Sequence, residues 1–268
     1  MKTILFILTV LLTVVSLTPE DGISIYGLPV NAPLSIVNPS LGPGIIISIT
    51  DTNGLFNTVC TYVLDESGRR FFNADNNEIS DSFELFNDSK FMSDMASAFS
   101  RCRAATRDSI VLLVSVEYQK MIVADSAGII IKVFPVSTSS YGVGSIAHSN
   151  KTPPGMHRIR GKYGENEDIG TIFRFLSSTG EKAEIIQDSI DIEDDLITTR
   201  IMHLSGMEEG INRGIGIDSY ERHIYIHGTP EEGLIGIPAS HGCIRMRNRD
   251  VIEVFDMTGE NTLIYIIQ

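Results

Sequence analysis

The chain has 268 residues, enough for one large domain or two small ones with a true hydrophobic core. Its 34 Asp and Glu against 21 Lys and Arg give a formal charge of -13, which argues against a sequence-independent grip on nucleic-acid phosphates. Attraction to an anionic polymer would have to come from local groups and not from the overall field.

Met1-Lys2-Thr3 precedes an apolar run over residues 4–17. One positive charge followed by a hydrophobic stretch too short to span a bilayer comfortably reads as a secretory signal, so the protein is expected in the periplasm or cell envelope. Val14 and Ser16 fit the small-residue cleavage positions poorly, and an uncleaved anchor in the inner membrane is the alternative. No cysteine follows closely, which argues against a lipid-modified N-terminus. An exported chain with three cysteines leaves one unpaired. Cys60 and Cys102 are the natural pair, closing a loop of about forty residues worth roughly 3 to 4 kcal/mol; two free buried thiols are the alternative.

Residues 18–44 carry Pro19, Pro29, Pro33, Pro39 and Pro43 and read as a linker. Residues 45–106 read as a small α+β region of unknown role. Strands are expected at 45–49 and 56–63, bounded by Asp51-Thr52-Asn53-Gly54 and Glu66-Ser67-Gly68, then a polar stretch to Lys90. A helix follows, on which Phe91, Met95, Phe99 and Cys102 share one face.

From Ser109 the pattern becomes strand after strand, at 110–116, 120–124 and 129–136, with a Tyr118-Gln119-Lys120 turn and the small-residue segment Val136-Ser137-Thr138-Ser139. Thr152-Pro153-Pro154-Gly155 is a strong turn signal before a strand at 156–159. His148 and His157 lack metal-ligand spacing and read as ordinary polar residues. Residues 161–195, ending in an acidic run from Asp188 to Asp195, read as a solvated insertion with short strands. A strand at 196–204 carries Thr199, Arg200 and His203, and Arg200 reads as structural before it reads as a carboxylate binder. A strand at 220–227, a helix from Asn248-Arg249-Asp250 to Met257 and a last strand at 262–267 complete a mainly β chain.

Chemistry concentrates in His227-Gly228-Thr229-Pro230 and Ser240-His241-Gly242-Cys243-Ile244-Arg245-Met246. A thiol is a good nucleophile only as thiolate, so a catalytic Cys243 needs a neighbouring base, and His227 and His241 are both at hand. Gly242 lets the backbone turn tightly beside a reacting carbonyl. Ser240 is a short hydroxyl able to orient a histidine. Arg245 would grip a substrate carboxylate bidentately or serve loop structure, and Gly228 and Thr229 are the other candidate substrate contacts. A zinc site built from His227, His241 and Cys243 is chemically available but lacks paired-cysteine spacing, and a redox cysteine lacks its C-x-x-C partner. No metal or cofactor is called for.

These segments resemble the L,D-transpeptidase family, the YkuD-type cysteine enzymes of bacterial peptidoglycan. The resemblance covers the His-Gly-Thr context, the Ile235-Gly236-Ile237-Pro238-Ala239-Ser240 approach, the Ser-His-Gly-Cys core and Ile-Arg-Met after it. It extends to the Gln119 turn, residues 136–139 and the Thr-Pro-x-Gly turn, although the family usually has glycine where this chain has Ser139. The Thr199 to Asn212 arrangement is similar to a subgroup with a longer catalytic domain. The resemblance implies a β-sandwich-like catalytic domain over residues 107–268, with short helices and the small α+β segment before it. It also implies L,D-transpeptidation on peptidoglycan stem peptides, with a tetrapeptide donor and an amine acceptor. Cys243 would be the nucleophile, His227 the general base, His241 and Ser240 orienting groups, and backbone amides near Gly242 and Cys243 the oxyanion donors. Acylation by carbapenems is implied in the same way. An L,D-carboxypeptidase with the same thioacyl chemistry, or a wall-binding protein without turnover, are the alternatives.

Overall fold

The structure is a computed structural model that describes residues 45–50, 57–65, 68–73 and 89–268, save 107, 127, 129, 193 and 194. The expected signal or anchor, the linker and the polar stretch before Lys90 lie outside the described residues, apart from Ser89. The chain divides into two units, one drawn from residues 1–100 and 127–132, the other from Arg101–Ser126 and Val133–Gln268.

The first unit holds an antiparallel sheet of β1 (Ile45–Thr50), β2 (Asn57–Asp65) and β3 (Gly68–Asn73), in that order. β3 continues past the turn signal at which the sequence reading ended its strands. The helix α1 (Ser89–Ala105) buries Phe91, Met95, Phe99 and Cys102 at the spacing its apolar stripe predicts. Cys102 is a free, fully buried thiol that burial pushes up to about 12, which agrees with the second of the two arrangements open to it. The Cys60 side chain lies outside the described residues.

The second unit is built on a mixed sheet. Its strands are β4 (Ile110–Ser115), β5 (Lys120–Asp125), β6 (Ile130–Pro135), β7 (Gly155–Tyr163), β8 (Thr171–Arg174), β9 (Ser177–Lys182), β10 (Ile197–Gly206), β11 (Tyr225–Gly228), β12 (Ile244–Met246) and β13 (Leu263–Ile267). They lie in the order β12-β11-β10-β7-β13-β4-β5-β6, with β8 and β9 branching from β10. The mainly β fold expected from the sequence is the one formed. Residues 111–114 and 121–124 are continuous apolar runs with no exposed surface, as strands covered on both faces require. β13 lies parallel to β4 and antiparallel to β7, which closes the centre of the sheet.

Helix α2 (Asn248–Met257) packs on β10 and β11 and buries Val251, Val254 and Phe255. Its last carbonyls would be orphaned, but the Lys162 ammonium from β7 donates to Phe255 O at 2.6 Å and Thr258 O at 2.5 Å. At its other end Asn248 accepts from the hydroxyls of Thr198 and Thr199 and donates to Thr229 O, fixing the end of the histidine-bearing strand. Gly228 is required there: a Cβ would stand 2.6 Å from Asn248 Oδ1 and 2.8 Å from Thr198 O.

The strand expected at 220–227 forms only from Tyr225. Before it, Asp218 Oδ1 accepts the N–H groups of Tyr220 at 2.9 Å and Glu221 at 3.2 Å and curls the chain into a turn. Among the described residues no helix is long and apolar enough to cross a membrane.

His157 is fully buried, with Nδ1 donating to Gly155 O at 3.0 Å and Nε2 2.9 Å from Ser219 Oγ. Burial lowers it to about 4, against 6.5 in an open chain. The folded state therefore binds fewer protons than the unfolded one between those values, so stability is full above pH 6.5 and declines as pH falls towards 4. A loss on the order of 3 kcal/mol is expected from this group. Urea midpoints at pH 7 and pH 4.5 check it: the parent should fall steeply, and His157→Gln should be destabilised at pH 7 yet fall less between the two.

Candidate active site

The cysteine loop is held by a neighbour far away in sequence. Ser137 and Arg245 exchange backbone hydrogen bonds at 2.9 and 2.8 Å, the N–H groups of Ala239 and Ser240 both donate to Thr138 O, and Ser140 N–H donates to Ser240 O at 3.1 Å. Gln119 fixes this rail: its Oε1 accepts Thr138 N–H and its Nε2 donates to Thr138 Oγ, each at 2.7 Å. Ser139, standing where the family has glycine, uses its hydroxyl as a donor to Asn150 O, and its N–H donates to Thr152 Oγ at 3.0 Å. The departure thus fastens the rail to the next loop.

Cys243 precedes β12, which runs parallel to β11 with Ile226 opposite Ile244 and His227 opposite Arg245. The sulfur accepts the N–H of Tyr225 at 3.4 Å, and the thiol donates to His223 O at 3.4 Å. Its apolar side packs on the cluster of Phe173, Ile201 and Tyr225. Burial pushes the thiol up to about 12, with Asp195 adding to the effect and Arg245 and Arg222 opposing it.

His227 lies on the neighbouring strand opposite Arg245, which is two residues beyond Cys243. Its side chain is buried, and Nδ1 must donate to Gly228 O at 2.8 Å, since a carbonyl only accepts. That leaves the lone pair on Nε2. Burial lowers its proton affinity, while Asp195 and the bond to Gly228 O work the other way. Burial thus disfavours the charged form of both thiol and imidazole.

The remaining predicted residues take other places. Arg245 is 1 % exposed, with Nη1 2.7 Å from Glu231 Oε2 and Nη2 2.8 Å from Asp195 Oδ1. Its guanidinium is enclosed by these two carboxylates, so of the two roles open to it the structural one is filled and a grip on substrate carboxylate is not. Ser240 is buried, donating to Cys243 O at 2.6 Å and accepting Gly242 N–H at 3.2 Å. Its hydroxyl shapes the cysteine turn, so of the histidine or thiolate it was expected to orient, its bonds go to the cysteine side. The same bond takes the Gly242 amide out of the expected set of oxyanion donors, though Gly242 makes the turn as expected, at φ +123. Gly228 and Thr229 are both buried, and Thr229 Oγ accepts Glu231 N–H at 3.2 Å, so neither faces substrate. Arg200 donates to the carbonyls of Glu167 and Thr199, each at 2.7 Å, a structural place. Among the described residues no set of three or more His, Cys, Asp or Glu could hold a metal ion, so His227, His241 and Cys243 do not gather into the zinc site considered above.

Two residues escaped the sequence reading. Asp195, the last of an acidic run that reads as solvated surface, is 24 % exposed and bridges Arg245 to His241, whose Nδ1 lies 3.0 Å from Asp195 Oδ2. Burial opposes its charge, but Arg245, His227 and the bonds from Arg245 and His241 outweigh that and hold it below the usual carboxylate range. Glu231 is 0 % exposed and accepts Ile192 N–H at 2.7 Å. The one sequence signal for Asp195 was its position two residues before a buried strand. Beside this network a cavity of ≈ 400 Å³ is lined by His148, Asn150, Asp218, Glu221, His223 and His241, among others.

Residues 109–266 match the model of the YkuD L,D-transpeptidase catalytic domain. The chain belongs to this family. A 46-residue stretch is 44 % identical to the L,D-transpeptidase YkuD of Bacillus licheniformis, covering 17 % of this chain and 28 % of that protein. An L,D-transpeptidase of Mycobacterium smegmatis is similar over 60 % of this chain and 59 % of its own, at 15 % identity and TM-score 0.37. L,D-transpeptidase 3 of Mycobacterium tuberculosis, in complex with a faropenem-derived adduct, is similar over 60 % of each chain at 14 % identity and TM-score 0.37. The chain thus spans less than two thirds of the length of these relatives.

Removing the guanidinium would strand two buried carboxylates. Arg245→Met is expected to cost about 3 to 5 kcal/mol, measured by urea unfolding at pH 7. A surface arginine reserved for substrate would cost under 0.5 kcal/mol by the same measurement.

Proposed function

We propose that the protein is a peptidoglycan L,D-transpeptidase that works through a thioacyl enzyme on Cys243. The observation that carries the reading is that Cys243 leads into the strand lying parallel to the one that bears His227, with the imidazole locked by Gly228 O so that Nε2 is the free base. Family membership supports the reaction class, and the substrate is the stem peptide that the family implies.

Burial disfavours charge on either partner, so the proton moves as the bond forms. His227 Nε2 takes the thiol proton, and sulfur attacks the carbonyl carbon of the third, diamino residue of a stem tetrapeptide. The C–N bond to the terminal D-alanine breaks, and His227 gives its proton to the departing amine. An acceptor amine then attacks the thioester, forming the crosslink and releasing the thiol. Tyr225 N–H, already aimed at the sulfur, favours the developing thiolate over the thiol. Residues 1–17 support export, and we place the protein in the cell envelope, held there by that segment where it is not cleaved.

Intact-protein mass after incubation of the full chain with a carbapenem tests the nucleophile. The parent should gain one drug mass and Cys243→Ala none, while His227→Ala should react roughly 10²-fold or more slowly. No adduct on the folded, reduced parent would reject the reading. Product analysis with a tetrapeptide-bearing muropeptide then separates crosslinking from hydrolysis.

A further inference from the structure

We propose that His241, held by Asp195, is the general base of the second half-reaction, removing the proton from the acceptor amine while His227 serves acylation. The inference rests on the thioacyl reading above and divides its two steps between two histidines.

The argument starts from the hydrogen bond. Asp195 is ionised, so at 3.0 Å from it the Nδ1 of His241 must be the donor. The neutral ring then carries its lone pair on Nε2. Asp195 is itself fixed by Arg245 Nη2 at 2.8 Å, and Arg245 by the fully buried Glu231, so the carboxylate that orients the ring is anchored in the interior. The His241 N–H also leans on the same Oδ2 at 3.4 Å. Tyr141 closes over the ring at 5.7 Å between centroids.

Location separates the two histidines. The His227 side chain is buried, whereas that of His241 is 45 % exposed and lines the ≈ 400 Å³ cavity. His223, whose carbonyl receives the Cys243 thiol, also lines that cavity. Asp218 and Glu221 on its wall outnumber Arg222, and that excess is of the sign that draws a cationic amine. A side-chain amine of a second stem peptide is the ligand class that fits: it arrives as ammonium and must be deprotonated to react.

The step balances as follows. The ammonium loses one proton to solvent, and the neutral nitrogen attacks the thioester carbonyl. The C–N bond forms as the C–S bond breaks, and His241 Nε2 takes the second proton. Sulfur leaves as thiolate and is reprotonated by exchange with solvent as His241 gives its proton up, restoring the resting site. Asp195 is a positioning residue in this scheme, since it acts through the ring and touches no reacting atom.

The test is a two-stage, single-turnover mass measurement on the full chain. A synthetic stem tetrapeptide loads the enzyme, and a stem tripeptide with a free side-chain amine then discharges it. In His241→Gln, discharge should slow roughly 10²-fold, at least tenfold more than loading slows. Asp195→Asn should show the same asymmetry, and the double variant should discharge no more slowly than His241→Gln alone, as expected for two residues acting as one unit. Equal slowing of both stages, or no slowing of discharge, in His241→Gln overturns the assignment even if Asp195→Asn does not fold. Fully additive losses overturn the part given to Asp195. A parent that never loads brings down the transpeptidase reading itself, which distinguishes that failure from this one.

Discussion

A guanidinium with 1 % of its side chain exposed governs the second unit of this molecule. Burying a charge is costly unless its partners are placed in advance, and Arg245 meets that condition with carboxylates from two other segments. Asp195 comes from the end of the acidic insertion, Glu231 from the loop between the histidine and cysteine strands, and Arg245 from the strand after the nucleophile. Three stretches that backbone pairing alone would hold loosely are tied at one point. Ile192 N–H on Glu231 Oε1 extends the tie further into the insertion. The network also sets the chemistry. Asp195 favours protonated forms of both Cys243 and His227, so the element that orders the site keeps its nucleophile a thiol at rest.

The candidate nucleophile and base could be read from the sequence because their chemistry is local: a thiol, two histidines and a tight glycine turn within one short stretch. The mainly β fold was legible because apolar runs such as 111–114 and 121–124 bound themselves with turn residues. Ser240 and Arg245 were identified as site residues, but their neighbours could not be read from the sequence. A hydroxyl next to one histidine suggests contact with it, and an arginine two past the cysteine suits either substrate or loop structure; folding hands Ser240 the Cys243 carbonyl and Arg245 two carboxylates. Asp195 was missed for a similar reason. A run of acids is usually solvated, and nothing in its composition reports that its last member meets a cation fifty residues later.

The strand expected from Tyr220 fails for a reason that bears on the site. Alternation of Tyr225 with Ile224 and Ile226 is real, but Asp218 captures two backbone amides and bends the chain first. Tyr220 then stacks on the buried His203 at 4.0 Å between centroids, and the turn delivers the His223 carbonyl to the thiol. An uninterrupted strand would have carried that carbonyl into the sheet ladder instead.

Two histidines near one cysteine invite the assumption that they share a task, and their surroundings argue otherwise. One is sealed inside, with a backbone carbonyl on Nδ1 and a lowered proton affinity that suits a base accepting a proton for the length of one bond change. The other lines a cavity with a carboxylate on Nδ1, an arrangement that fixes the ring and gives it access to arriving molecules. Both expose Nε2 by the same device, a fixed acceptor on the opposite nitrogen. Swapping the acceptors would swap the properties: a carboxylate against the buried ring would favour a standing thiolate–imidazolium pair beside an already anionic network. The neutral carbonyl at His227 and the carboxylate at His241 are thus the placement in which a silent thiol and a responsive outer base coexist.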